Sequence, residues 1–377
     1  TAVANPPTID LPALASPRTV EQTYTVKCGE VGDHTFTFDA DIAPLDPDDV
    51  DLDLSNNRAT AILNVECIFK LDLRTIGWHL ISMPVIPHNA QIGILLQEIA
   101  GGYAKVLSFE AGALAYVPTL PGFNTLSTMD GMHGFWILVE QGGIVNVHGN
   151  LQPLDTPIAL EEGWNLVSYL PQDPKLVADA LASIAGKYDK VLGFDRGATS
   201  YYAALQPPLN SLQVMERGKG YWIHMTEAGI LNYALASSLA QSAATDTVNQ
   251  PQAIDGMAAT SQWINVYSTS STRNVEPLPV GTTVTAIGED SRVLGQVTVR
   301  TAGWYGVLAV YGADGSDSEF RGARVGEQIR FLINGDPATV VNGQNPVWTN
   351  NGDLFQVDLE ISGQSDAHKI FLPTVQR

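Results

Sequence analysis

The chain has 377 residues, 45% of them apolar, with 40 acidic against 20 basic side chains and a formal charge of −20. Such a composition is globular rather than disordered, and without clustered cations it offers nothing to hold nucleic acid or anionic lipid. It also contains no apolar run approaching the roughly 18 residues of a membrane span.

Residues 1–19 read as a Pro-rich, extended leader with Ile9, Leu11 and Leu14 as apolar anchors. The start at Thr1 is that expected of a mature or excised product. Strands are predicted near 20–28, 34–40 and 58–67. Tyr24, Val26 and Cys28 fall on one face of the first, Phe36 and Phe38 on one face of the second, and Ala59, Ala61, Leu63, Val65 and Cys67 on one face of the third. The opposite faces are polar apart from Ile62, the pattern of sheets wetted on one side. Three or four strands make about half a sandwich, so 20–70 is expected to be a partial immunoglobulin-like sandwich whose apolar face needs a cover. The cover could be the leader, the first repeat described next, or a strand from another copy.

Between these strands Asp46, Asp48, Asp49, Asp51 and Asp53 crowd into eight residues. Hard cations want several such oxygens, so they are candidate calcium ligands; solvated acidic turns are the plainer reading. The only cysteines, Cys28 and Cys67, each end a strand-like run. They are too few for a zinc site and are expected to form a disulfide worth roughly 4 kcal/mol, which implies an oxidising compartment.

A duplication follows. Gly77-Trp78-His79-Leu80-Ile81-Ser82 is answered 86 residues later by Gly163-Trp164-Asn165-Leu166-Val167-Ser168. Tyr103-x-Lys105-Val106-Leu107-x-Phe109 matches Tyr188-x-Lys190-Val191-Leu192-x-Phe194, and Gly134-Phe135-Trp136-Ile137 matches Gly220-Tyr221-Trp222-Ile223. The modules are placed at 71–153 and 154–236. Each reads as strand, helix, then short strands, and two copies are too few for an open solenoid, so they are expected to pack on each other. Ile92, Leu95, Leu96 and Ile99 have helical spacing before Gly101; Leu176, Val177, Ala180, Leu181 and Ile184 have it before Gly186, with Asp173 as cap and Pro174 at the first helical position. Trp78, Trp136, Trp164 and Trp222 could stack on sugar rings, but an indole inside an apolar strand beside a glycine is more often core. Lys105 and Lys190 read as solvated strand residues.

Residues 237–261 have the composition of a linker, and 262–363 read as a complete β-sandwich of six or seven strands. Phe355, Val357, Leu359 and Ile361 alternate with Gln356, Asp358 and Glu360 as one strand. Asp314, Asp317 and Glu319 make a second acidic loop that is a candidate calcium site or a solvated turn. The tail, 364–377, carries a spare apolar strand at Ile370, Phe371 and Leu372.

Gly163–Ser168 with Gly218-Lys219-Gly220-Tyr221-Trp222-Ile223 resembles a Gly-Trp-Asn-Leu-Val-Ser…Gly-Lys-Gly-Tyr-Trp module of large secreted prokaryotic surface proteins. The first copy departs from it at His79 and at Met132-His133. Asp51-Leu52-Asp53-Leu54-Ser55-Asn56-Asn57 resembles the end of bacterial immunoglobulin-like repeats. Val310–Asp314 and Gly322–Glu327, with Leu372-Pro373, resemble a β-sandwich appended to secreted bacterial proteins. These resemblances imply an extracellular setting and bring no catalytic residue.

The sequence has no His-Glu-x-x-His, no Gly-x-Ser-x-Gly and no phosphate-binding loop. The expected fold is mainly β: a partial immunoglobulin-like sandwich, tandem duplicated α+β modules with one helix each, and a C-terminal β-sandwich. The expected function is that of a non-enzymatic, secreted structural protein needing no cofactor other than the candidate calcium. It would join copies of itself by strand complementation into a filament, S-layer or matrix. The alternative is a carbohydrate- or protein-binding fragment of a larger adhesin, with surface polysaccharide as partner.

Overall fold

The computed structural model describes residues 32–41, 58–235, 259–313 and 322–361, with backbone alone at 38–41, 58–59, 63 and 208. Residues 1–30 lie outside the described residues. Everything described belongs to one unit, and it is mainly β. Among the described residues no helix is long and apolar enough to cross a membrane.

β1 (Gly32–Asp41) and β2 (Arg58–Cys67) form an antiparallel hairpin of two ten-residue strands. Module 1 then runs β3 (Phe69–Asp72), β4 (Gly77–Ser82), β5 (Val85–Pro87), α1 (Ile92–Leu95), β6 (Tyr103–Phe109), β7 (Ala113–Tyr116), β8 (Gly134–Val139), β9 (Ile144–Val147) and β10 (Gly149–Leu151). Module 2 runs β11 (Ile158–Leu160), β12 (Gly163–Ser168), β13 (Lys175–Leu176), α2 (Val177–Ala180), β14 (Tyr188–Phe194), β15 (Ala198–Tyr202), β16 (Val214–Met215), β17 (Gly220–Met225) and β18 (Gly229–Leu231). The central sheets have the orders β4-β8-β6-β7 and β12-β17-β14-β15. Their registers repeat as well: Gly77 opposes Val139 and Gly163 opposes Met225, with a bulge between Tyr103 and Lys105 and between Tyr188 and Lys190. Module 1 begins at Phe69, two residues before the expected boundary, because β3 pairs with β9.

The expected helices shrink to one α turn followed by a 3-10 turn, Gln97–Ile99 or Ala182–Ile184. Their apolar positions are buried, as the spacing requires, except Leu176, which is half-buried and lies in β13 before the turn. The Asp173 cap is corrected: Leu176 is extended, pairs with Val214 in β13–β16, and becomes the residue before α2, with no side-chain cap. Strand pairing there takes the backbone groups a longer helix would have used. Gly101 and Gly186 end the turns with φ +78, the left-handed conformation that glycine adopts freely.

Each module sheet buries both faces. Ile81, Val106, Phe135 and Ile137 face module 1's own core, and Val167, Val191, Tyr221 and Ile223 face module 2's. The alternate positions, Trp78, Leu80 and Trp136 with Leu166 and Leu192, meet in a third core shared by the modules. This two-sided burial explains the nearly unbroken apolar strands GFWILV and GYWIHM. The modules join about a pseudo-twofold. Ile81 bridges Lys219 while His133 bridges Val167; Ser82 N donates to Gly218 O at 3.0 Å while Ser168 N donates to Met132 O at 2.8 Å. All four pairs obey the 86-residue equivalence, which is the signature of an isologous contact.

The C-terminal part holds β19 (Trp263–Tyr267), β20 (Thr272–Arg273), β21 (Glu276–Pro277), β22 (Thr283–Ile287), β23 (Val293–Thr298), β24 (Val307–Tyr311), β25 (Arg330–Ile333), β26 (Asp336–Val340), β27 (Leu354–Gln356) and β28 (Leu359–Ile361). The expected sandwich of six or seven strands is instead ten, in a curled seven-stranded sheet, β21-β20-β28-β26-β25-β22-β23, and a three-stranded one, β24-β19-β27. Both are mixed, because β27 runs parallel to β19 and β28 parallel to β20. The single strand expected at 355–361 breaks into β27 and β28, which lie in different sheets. At the break Asp358 is buried, and its carboxylate accepts from Thr269 N at 2.8 Å and Ser270 N at 3.0 Å. Fully buried Trp263, together with Tyr311, joins this part to the core shared by the modules.

Gly134 and Gly220 mark the closest approach of the two modules. A Cβ on Gly220 would lie 2.6 Å from Ile81 O, and one on Gly134 2.9 Å from Leu166 Cδ1 and 3.0 Å from Val167 O. Gly220→Ala should therefore cost about 1–3 kcal/mol of overpacking, measured as a lower midpoint in denaturant. Gly112→Ala, where a Cβ meets nothing within 4 Å, should leave the midpoint within about 0.5 kcal/mol.

Candidate assembly surface

The hairpin register pairs His34 with Val65, Phe36 with Leu63 and Phe38 with Ala61. The apolar stripes of the two strands therefore share one face. His34, Phe36 and Val65 are half-buried there, while Asp33, Thr35, Thr37, Thr60 and Asn64 of the other face are exposed. Ile62 is the apolar exception on that polar face and is 65% exposed. Among the described residues each strand pairs along one edge only. An isolated two-stranded hairpin is marginal in water, so this sheet depends on further cover.

The hairpin base is tied to module 1. Glu66 accepts from His148 Nδ1 at 2.8 Å and lies 3.6 Å from His88 Nδ1. Buried Cys67 ends β2, and no described cysteine is free; Cys28 lies outside the described residues.

The four repeat tryptophans come together. Trp78 and Trp136 are buried, Trp164 and Trp222 half-buried, and the two pairs meet edge-to-face at 5.7 and 6.0 Å. Trp136 also meets Phe194 at 5.0 Å and Trp263 at 6.4 Å. Such pairs add about 0.5–1.5 kcal/mol each beyond area burial. Lys105 Nζ stands 5.8 Å from the Trp78 ring centre and Lys190 Nζ 5.6 Å from that of Trp164, a cation–π contact made once in each copy. These indoles pack in the core shared by the modules, with part of Trp164 and Trp222 left exposed. Trp263 and Tyr311 complete the cluster without any counterpart in the repeat, so no sequence signal pointed to them.

The seam carries charge at equivalent places. In module 1 His133 Nδ1–H donates to Asp130 at 2.9 Å and lies 3.7 Å from Glu110; in module 2 Lys219 Nζ lies 2.9 Å from Asp195. The hydrogen bond to Asp130 raises the His133 pKa, against the effect of burial, and Glu110 adds to the rise. Burial pushes the Asp130 carboxyl up, but its bonds to His133 outweigh this and hold it below the ordinary value. Burial lowers His79, also at the seam, more than its 2.7 Å bond to Thr75 O raises it.

Asp46, Asp48, Asp49, Asp51, Asp53, Asp314, Asp317, Glu319, Ile9, Leu11, Leu14, Ile370, Phe371 and Leu372 all lie outside the described residues. Among the described residues no three His, Cys, Asp or Glu side chains are grouped to hold a metal ion. No known family model and no curated protein matches the chain.

Because its folded pKa is raised, His133 contributes stability that is complete below its unfolded value of about 6.5 and is lost as pH rises through the folded value. His79, lowered on folding, acts with the opposite sign. His133→Gln should therefore lose more melting temperature relative to wild type at pH 6 than at pH 9. Equal losses at both pH values would show that the Asp130 pair contributes nothing.

Proposed function

We propose that the chain is a non-enzymatic extracellular structural protein, a subunit of a filament, S-layer or matrix assembled by strand complementation between protomers. The observation that carries this reading is the hairpin: one register-aligned apolar face, and one paired edge per strand among the described residues. Strand addition to such a sheet supplies main-chain hydrogen bonds and lets alternate side chains cover the apolar face. The sequence offers two extended apolar segments for that role, Ile9–Leu14 and Ile370–Leu372. In this reading residues 20–70 complete an immunoglobulin-like sandwich across chains, Cys28 and Cys67 form its disulfide, and 262–363 is a sandwich-type end domain. The −20 charge keeps free subunits apart and soluble. The surface-protein resemblances of the repeat and of the C-terminal part fit the same setting. The carbohydrate-binding alternative would need open indole faces, and burial of Trp78 and Trp136 weighs against it.

Deleting residues 1–19 should abolish particles larger than small oligomers in electron microscopy and light scattering, with the near-ultraviolet circular dichroism of the tryptophan cluster unchanged. Normal assembly of the truncated chain would overturn the leader as connecting strand, and a wild-type chain that stays monomeric at high concentration would overturn the assembly reading itself.

A further inference from the structure

The pseudo-twofold relating the modules is broken at one surface. In module 2 the outer strand β15 is covered, as are Leu209 and Asn210, while Ala203, Ala204, Gln206 and Pro207 of the loop between them are exposed. Ala198, Ser200, Tyr202, Leu209 and Asn210 are all buried. The C-terminal part docks directly on this strand: Ala198 N donates to Tyr311 Oη at 2.8 Å, Asn265 Nδ2 to Tyr202 Oη at 2.6 Å, and Tyr202 Oη to Gly352 O at 3.2 Å. Among the described residues, nothing docks at the equivalent positions of module 1. Ala113 is exposed, Ala115, Val117 and Asn124 are only half-buried, and Leu120 is 52% exposed. Phe123 is 82% exposed, whereas its counterpart Leu209 is 6% exposed. One repeat position is core in one copy and bare aromatic surface in the other.

Three features identify what this face fits. Residues 111–129 contain no charged side chain in a chain of net charge −20, so like-charge repulsion between two copies is least here. The hydroxyls that receive the C-terminal part, on Ser200 and Tyr202, are replaced by Ala115 and Val117. The face therefore lacks the side-chain hydrogen bonds by which β15 holds that part, and a second C-terminal domain does not suit it. What remains is an uncharged surface in which Leu120, Pro121 and one protruding aromatic, Phe123, are exposed together, and it is complementary to another surface of the same kind.

We propose that the face formed by β7 and the loop through Leu120 and Phe123 is an isologous docking surface for the same face of a second copy of this chain. Each Phe123 would bury itself against the partner's apolar face across a twofold. This interface lies on module 1 and not on the hairpin, so it is independent of strand complementation: leader pairing makes open chains, and this contact closes pairs.

The test uses the full chain with a photoreactive phenylalanine analogue at position 123, together with sedimentation of wild type and Phe123→Asp. The expected results are a cross-link between residue 123 of one molecule and residues 111–126 of another, and a dimer dissociation constant weakened at least about tenfold in the variant. Phe123 is exposed, so the variant should keep its fold, checked by circular dichroism. A cross-link to the leader or tail of the same molecule, a cross-link to any other surface of a second copy, or no cross-link at all would overturn the proposal. So would unchanged self-association of Phe123→Asp. Failure of strand complementation would appear differently, as loss of long assemblies with the residue 123 dimer intact.

Discussion

The structure depends on a sheet that cannot leave either face in water. In each module the central four strands carry apolar residues at successive positions, so covering one face with the module's own turn-and-strand layer leaves the other uncovered. The second copy supplies that cover, and the pairing is reciprocal. Ile81 meets Lys219 as Val167 meets His133, and Gly134 meets module 2 as Gly220 meets module 1. A reciprocal contact closes on itself, which is why the duplication stops at two and no third repeat is required. The contact is also intramolecular, so it costs none of the association entropy that two separate chains would lose.

The closed pair is a platform for what differs between the copies. Trp263 and Tyr311 fill the shared core from the C-terminal part, which binds the curled mixed sheets to module 2. Module 1 takes the other attachment, with Glu66 of the hairpin between His88 and His148. One copy thus holds the C-terminal part and the other holds the hairpin base. Smaller departures follow the same division. Ser82 Oγ donates to Lys219 O and accepts from Tyr169 N, while its equivalent Ser168 Oγ has no hydrogen-bond partner among the described residues. His133 stands where module 2 has Lys219, so one side of the seam carries an imidazole whose pKa is raised by Asp130 and the other a lysine 2.9 Å from Asp195.

Much of this was legible in the sequence because repetition is a strong signal. The glycine–tryptophan phrases placed β4, β8, β12 and β17, and alternation placed β2 at Arg58–Cys67. Burial of Trp78 and Trp136 agrees with their apolar neighbours, while Trp164 and Trp222 keep part of their surface exposed. Helix length was not legible, since the spacing of Ile92, Leu95, Leu96 and Ile99 fits one α turn plus a 3-10 turn as well as a longer helix. Parallel pairing of β19 with β27 joins segments about ninety residues apart and leaves no local mark. Asp358 has the outward-facing position of an alternating strand, yet the chain turns a corner there and its carboxylate is needed by two backbone amides. The role of Trp263 was hidden because it belongs to no repeat. Phe123 was hidden for the opposite reason: its repeat position is core in module 2, and only the docked C-terminal part distinguishes the two copies.

The central claim is that the two modules are one cooperative unit joined through the shared faces of their sheets. Native-state hydrogen exchange of Val106→Ala tests it directly, because Val106 lies in module 1's own core, away from the shared one. The account predicts that amides of Gly220–Met225 in module 2 lose as much protection as those of Gly134–Val139 in module 1. Loss of protection confined to module 1 would show that each copy folds by itself and would contradict the account.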